Sequence, residues 1–190
     1  MAKLVLKRFQ CVEDTSESGG ESPYFITWVG NLDDPAKSTL RISAKAYWNN
    51  NVDKGPGAWP VELVTCPELP PTPSKALALA IMVEKDEGRD ITTDEVEAMR
   101  KSMEKALRTW VEAGVFDSSH ANFVSTMKNT FESLVKGKLE SSDGADDDLM
   151  EEDNWRAARR IVLTGKNEEL ALVTFKGGTG QYNVRYAREA

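Results

Sequence analysis

The stretch from Asp14 to Gly30, DTSESGGESPYFITWVG, sets an acidic, glycine-containing segment directly against a hydrophobic run. Tyr24 to Val29 is rich in aromatic and β-branched residues and follows Gly19, Gly20, Ser22 and Pro23, so it reads as a turn entering a strand. Glu13, Asp14, Glu17 and Glu21 crowd that turn. Two readings stand at this point: an ordinary solvated loop, or carboxylates gathered to hold a positive charge.

Runs of the same character recur on both sides. Leu4 to Val12, Thr39 to Trp48, Trp59 to Val64 and Ala76 to Val83 have strand composition and are bounded by Gly, Pro, Asn or Asp. Near the far end, Glu169 to Phe175 and Gln181 to Ala187 form a pair joined by Lys176-Gly177-Gly178-Thr179-Gly180, a good hairpin connection. Arg159 to Leu163 adds one more, for about eight strands.

The middle of the chain changes period. Val96, Met99, Met103, Leu107, Trp110 and Val111 make a helical stripe, with Thr92 and Glu95 spaced as a capping box and Gly114 placed as a stop. Phe123, Val124, Met127, Phe131, Leu134 and Val135 make a second stripe, with Ser118 or Ser119 as the expected cap and Gly137 as the expected end. The fold class expected is mainly β with inserted helices. It is an antiparallel β-sandwich of about eight strands over residues 1–190, carrying an αα-hairpin at 91–140. The two stripes are expected to pack on each other and on a sheet; the alternative is a movable element with Met99, Met103 and Met127 exposed.

At 190 residues the chain can bury a self-sufficient core. Its net charge of −7 argues against nucleic acid, which demands a field of Lys and Arg. No apolar run approaches the length of a transmembrane helix, and the N-terminus MAKLVLKRFQ reads as a strand rather than a signal peptide. The expected location is cytoplasmic or peripheral to a membrane, with export without a signal peptide as the alternative. Cys11 and Cys66 lack metal-ligand spacing and are expected to be reduced core residues. His120 is the only histidine, and no nucleophile motif accompanies it, so no enzyme is predicted.

Three acidic groups fall at predicted strand ends: Glu13, Asp14, Glu17 and Glu21; Glu84, Asp86, Glu87 and Asp90; and Asp143, Asp146, Asp147 and Asp148. The last belongs to a run from Glu140 to Asp153 with eight carboxylates and no basic residue. A sandwich collects its loops at two ends, and calcium takes six to eight oxygen ligands, mostly carboxylates and carbonyls. Solvated loops are the plainer account of the same pattern. WRAARR, Trp155 to Arg160, is the one basic cluster with an aromatic, and is expected to pair with the preceding acids.

On these residues the chain resembles the C-two domains, the calcium- and phospholipid-binding β-sandwiches. GGESPYF is similar to their Gly-x-Ser-Asp-Pro-Tyr-Val signature, with Ser22 standing where the family has Asp. LALAIMVEKDEGRD resembles the strand that ends in an Asp-x-Asp loop, with Glu84 in place of the first Asp, and DDDLM resembles the Asp-Asp-x-Ile-Gly that closes it, without the Gly. WNNNVDKGPGAWPVEL is a looser match to an Asn-Pro-x-Trp segment. The resemblance implies a non-catalytic module that docks to membrane lipid or protein, with calcium as cofactor held by Asp14, Glu21, Glu84, Asp86, Asp147 and Asp148. Met150 and Trp155 are the candidates for membrane or partner contact. A second reading is an exported, toxin-like or cell-surface recognition protein that uses the helical hairpin as a mobile element.

Overall fold

A computed structural model describes residues 2–13, 23–43, 59–60, 65–84, 91–140, 148–149, 157–164, 170–177 and 180–190. The described strands are β1 (Lys3–Glu13), β2 (Pro23–Asn31), β3 (Thr39–Ile42), β4 (Trp59–Pro60), β5 (Thr65–Cys66), β6 (Ala76–Glu84), β7 (Asp148–Leu149), β8 (Arg159–Ile161), β9 (Leu170–Gly177) and β10 (Gly180–Glu189). Between β6 and β7 lie the helices α1 (Thr93–Glu112) and α2 (Ala121–Glu140). The mainly-β class with helices interposed is therefore as expected. β5 and β7 fall outside the predicted strands, and the predicted strand Thr39 to Trp48 is described only to Ser43.

The strands form two antiparallel sheets. In the first, β10 lies between β1 and β9, and β4 and β5 both pair with the outer edge of β1. In the second the order is β3-β2-β6, with β7 and β8 both on the far edge of β6. One core cluster joins Leu4, Leu6, Phe9 and Cys11 of β1 and Tyr182, Val184 and Tyr186 of β10 to Phe25, Val29, Ala80 and Met82 of the second sheet. The two sheets therefore face each other across that core. Phe25 sits between Phe9 and Phe175 of the opposite sheet, with centroids 5.9 and 6.1 Å away in the tilted geometry that aromatic quadrupoles favour. Buried Thr27 and Tyr186 bridge the sheets by a hydroxyl hydrogen bond of 3.2 Å.

β1 holds its inward face by a register shift. Leu4 and Leu6 point into the core, yet so do Phe9 and Cys11, which strict alternation would put on the other side. The pairing with β10 slips between Leu6 and Arg8, and the extra residue, Lys7, restores the inward set.

The two sheets differ in how they meet solvent. β10 alternates, with Tyr182, Val184 and Tyr186 buried and Arg185 exposed, as a strand with one wet face does. In β2 every residue is buried. Its second face, Tyr24, Ile26 and Trp28, joins Leu77, Leu79, Ile81 and Val83 of β6 in a second cluster with Met99, Met103 and Leu107 of α1 and Phe123, Met127 and Phe131 of α2. The helices thus cover the outer face of the second sheet, and the three methionines are buried rather than presented. Burying each such large apolar side chain is worth roughly 1.5–3 kcal/mol.

The helix ends have local causes. Thr92 Oγ1 accepts from the Glu95 N–H, and Glu95 Oε2 accepts from the Thr92 N–H at 2.9 Å, so the predicted capping box forms. Gly114, at φ +88°, ends α1 in a Schellman arrangement, its N–H donating to Val111 O and that of Val115 to Trp110 O. α2 departs from expectation at both ends. Its cap is His120, whose Nδ1 accepts from the Phe123 N–H at 3.3 Å, while Ser118 is buried and Ser119 donates to Asp117. Gly137 does not end it, because Leu139, a further step along the apolar stripe, is buried and draws the helix on to Glu140.

Two glycines should respond oppositely to alanine. A Cβ on Gly30 would run into the indole of Trp28, which lies back over it along β2, so Gly30→Ala should cost about 1–3 kcal/mol. A Cβ on helical Gly137 meets nothing within 4 Å, so Gly137→Ala should stabilise by about 0.5–1 kcal/mol. Urea unfolding of the two variants against wild type checks both signs.

The exposed side of α1 carries an ion network. Arg100 donates to both oxygens of Glu97 at 2.7 Å and to Glu104 at 3.0 Å, and Arg108 donates to Glu104 at 2.8 Å. The Arg100 bonds hold the Glu97 carboxyl below its ordinary 4.5, and Arg108 then Arg100 do the same for Glu104. Groups lowered in the fold bind fewer protons folded than unfolded, so their stabilisation is present above pH 4.5 and is lost as pH falls through their lowered values. Glu97→Gln with Glu104→Gln should flatten the acid limb of a Tm-versus-pH curve, by about 0.3–0.5 kcal/mol per exposed pair.

Candidate functional site

At the end of the molecule where β1 finishes and β2 begins, backbone register sets the ends of β2, β6 and β7 side by side. Pro23, the first residue of β2, pairs with Glu84, the last of β6, and Glu84 pairs in turn with Asp148, the first of β7. The chain thus enters or leaves the second sheet at three adjacent positions in one row. Neighbouring Cα atoms in antiparallel pairs lie roughly 4.5–5.5 Å apart. Residues 14–22 lead into the first position, residues 85–90 lead out of the second, and residues 141–147 lead into the third. In the first sheet Glu13 pairs with Gln181 at the same end, next to the hairpin that Gly177 and Gly180 close.

The platform beneath this row is fixed. Ser43 continues the pairing of β3 with β2: its N–H donates to Phe25 O at 2.9 Å, and its buried Oγ accepts from the Phe25 N–H at 2.8 Å. Phe25, two residues from Pro23, is the middle ring of the Phe9–Phe25–Phe175 series. The row of strand ends thus stands on fully buried Phe25.

Of the predicted metal ligands, Glu84 and Asp148 are brought opposite each other across β6 and β7. Asp14, Glu21, Asp86 and Asp147 lie outside the described residues, as do Met150 and Trp155. Carboxylates are the hard oxygen donors that calcium takes, so the residue types suit that ion. Among the described residues no group of three or more His, Cys, Asp or Glu is arranged to hold a metal ion. Nor, among them, is any helix long and apolar enough to cross a membrane.

The cysteines and histidine have structural surroundings. Cys11 and Cys66 are free thiols buried in the inter-sheet core, and burial pushes the Cys66 thiol up to about 11, so it stays protonated and unreactive at neutral pH. His120 lies beside Trp110, centroids 6.2 Å apart, with Nδ1 committed to the cap.

A second feature was not read from the sequence. Arg160 points its Nη2 to Ser118 Oγ at 3.4 Å and lines a depression of about 350 Å³ beside the first turns of α2, while the preceding acids expected to pair with its cluster lie outside the described residues. Its neighbour Arg159 donates Nε to Thr174 O of β9 at 3.3 Å. The signal was present only as the WRAARR cluster; its partners come from residues far away in sequence.

Comparison of the chain with models of known protein families, with curated protein sequences and with solved structures finds no match.

His120→Ala should lower stability by about 1 kcal/mol, through the lost cap and the lost ring contact, whereas His120→Asp should keep most of the cap. Thermal unfolding of the two variants separates these outcomes; equal losses would mean that the cap contributes nothing.

Proposed function

We propose that this chain is a non-catalytic binding module of C-two type, docking to an anionic membrane surface or a protein through a calcium-assisted acidic end. The reading rests on one observation: the register Pro23–Glu84–Asp148 sets the roots of three acidic segments in one row. The pairing also accommodates a sandwich of eight strand positions, because β4 and β5 share one edge of β1 and β7 and β8 share one edge of β6. In this reading Asp14, Glu21, Glu84, Asp86, Asp147 and Asp148 supply oxygen ligands. The bound cation reverses the local negative potential and admits anionic headgroups or carboxylates. Met150, next along the chain after β7, and Trp155 then make the contact, Trp being suited to an interface by its apolar body and polar N–H.

Helices interposed between β6 and β7 are compatible with this use of the end. They leave the sheet after Glu84 and the chain returns opposite it at Asp148, so their packing on the outer face leaves the row of strand ends in place.

Calcium should raise Tm relative to chelator, with a linkage of about 2.7 kcal/mol at a hundredfold excess over Kd. The double substitution Glu84→Gln with Asp148→Asn should abolish the rise, together with calcium-dependent cosedimentation with anionic vesicles. Identical melting in calcium and chelator would remove the metal from the proposal.

A further inference from the structure

The depression beside α2 has a chemistry of its own. Its polar lining is Ser119, Ser125, Lys128, Asn129 and Arg160, all able to donate hydrogen bonds, and no carboxylate lines it among the described residues. That is notable on a chain with 31 acidic and 24 basic residues. Ser119 and Ala121 bring the start of α2 to its rim, where the helix dipole adds positive potential. Asn129, one of the lining residues, has a buried Oδ1 without a hydrogen-bond partner.

Arg160 is held ready. Its backbone pairs with Leu79 of β6, and the adjoining Ala158 N–H donates to Glu132 Oε2 of α2 at 3.3 Å, joining strand to helix. Its guanidinium reaches Ser118 Oγ, and Ser118 is itself buried and tied by its N–H to Ser74 O at 2.8 Å. Among the described residues no carboxylate pairs with Arg160, so the remaining N–H groups of its planar fork are available to a bidentate oxyanion.

We infer that this depression is a binding site for a phosphate monoester group, gripped by Arg160 and oriented by Ser119, Ser125 and Asn129, with Lys128 also in its lining. Its volume, about 350 Å³, suits a small ligand or a single headgroup. The site is separate from the acidic end: Leu79 and Glu84 are five residues apart on β6, about 17 Å at the rise of a strand. That is about twice the screening length at physiological salt. The inference is independent of whether calcium binds.

Calorimetric titration with glycerol 3-phosphate, at ionic strength held constant with chloride, tests a soluble source. Cosedimentation with phosphatidylcholine vesicles, with and without phosphatidic acid, tests a lipid source. Saturable binding in either arm is expected, weakened about tenfold or more by Arg160→Gln, since charge-assisted bonds are lost. Ser125→Glu, at an exposed helical position, should abolish it by placing a carboxylate in the site; this variant decides the matter if Arg160→Gln does not fold. Binding confined to one arm identifies the source. Absence of saturable binding in both, or binding that survives Ser125→Glu, overturns the site.

Discussion

Two-sided burial of the second sheet is the constraint on which the molecule depends. β2 and β6 present large apolar side chains to both faces, and water can be excluded from both only by a layer on each side. The first sheet supplies one layer and α1 with α2 the other. Removing the helices would bare Tyr24, Ile26, Trp28, Leu79, Ile81 and Val83 together, a contiguous patch of the kind that drives association. The helices are an integral wall of the structure, and their ion network and caps adjust a position that burial already dictates.

From that constraint follows the fixed placing of the strand ends Pro23, Glu84 and Asp148. A strand flanked by partners on both edges and packed on both faces cannot slide, because a shift of one residue would invert which side chains meet which layer. Pro23, Glu84 and Asp148 therefore sit in a row by virtue of packing many residues away. The described strands thus begin and end at fixed points in that row.

Much of this was legible in the sequence where local chemistry decides the outcome. The strands Leu4 to Val12, Tyr24 to Val29, Ala76 to Val83 and Gln181 to Ala187 appear within a residue or two, and the Thr92–Glu95 box and Gly114 stop act as their spacing implied. The uninterrupted apolar character of ALALAIMVE, set against the alternation of GQYNVRYARE, was the available sign that one sheet is covered twice. What could not be read depends on partners distant in the chain. β7 is two residues in an acidic run, and only the free edge of β6 makes it a strand. Gly137 looked like a stop until the burial of Leu139 outweighed its poor propensity. The depression at Arg160 joins a strand to the start of a helix some forty positions earlier, a proximity that no local pattern encodes.

The pairing of β1 with β10 has a consequence for how the chain is made. Lys3 pairs with Glu189, and the strands remain partnered from there to Glu13 and Gln181. Of the described strands, β1 is synthesised before the others and its principal partner, β10, after them. Leu4, Leu6, Phe9 and Cys11 must wait, with the short β4 and β5 as earlier partners, until the described elements from β2 to β9 have been translated. Such non-local closure is slow and leaves an adhesive edge open meanwhile. The cationic residues on β1, Lys3, Lys7 and Arg8, give that waiting strand a charge that discourages self-pairing, and Lys3 and Lys7 engage Glu189 once the final strand arrives.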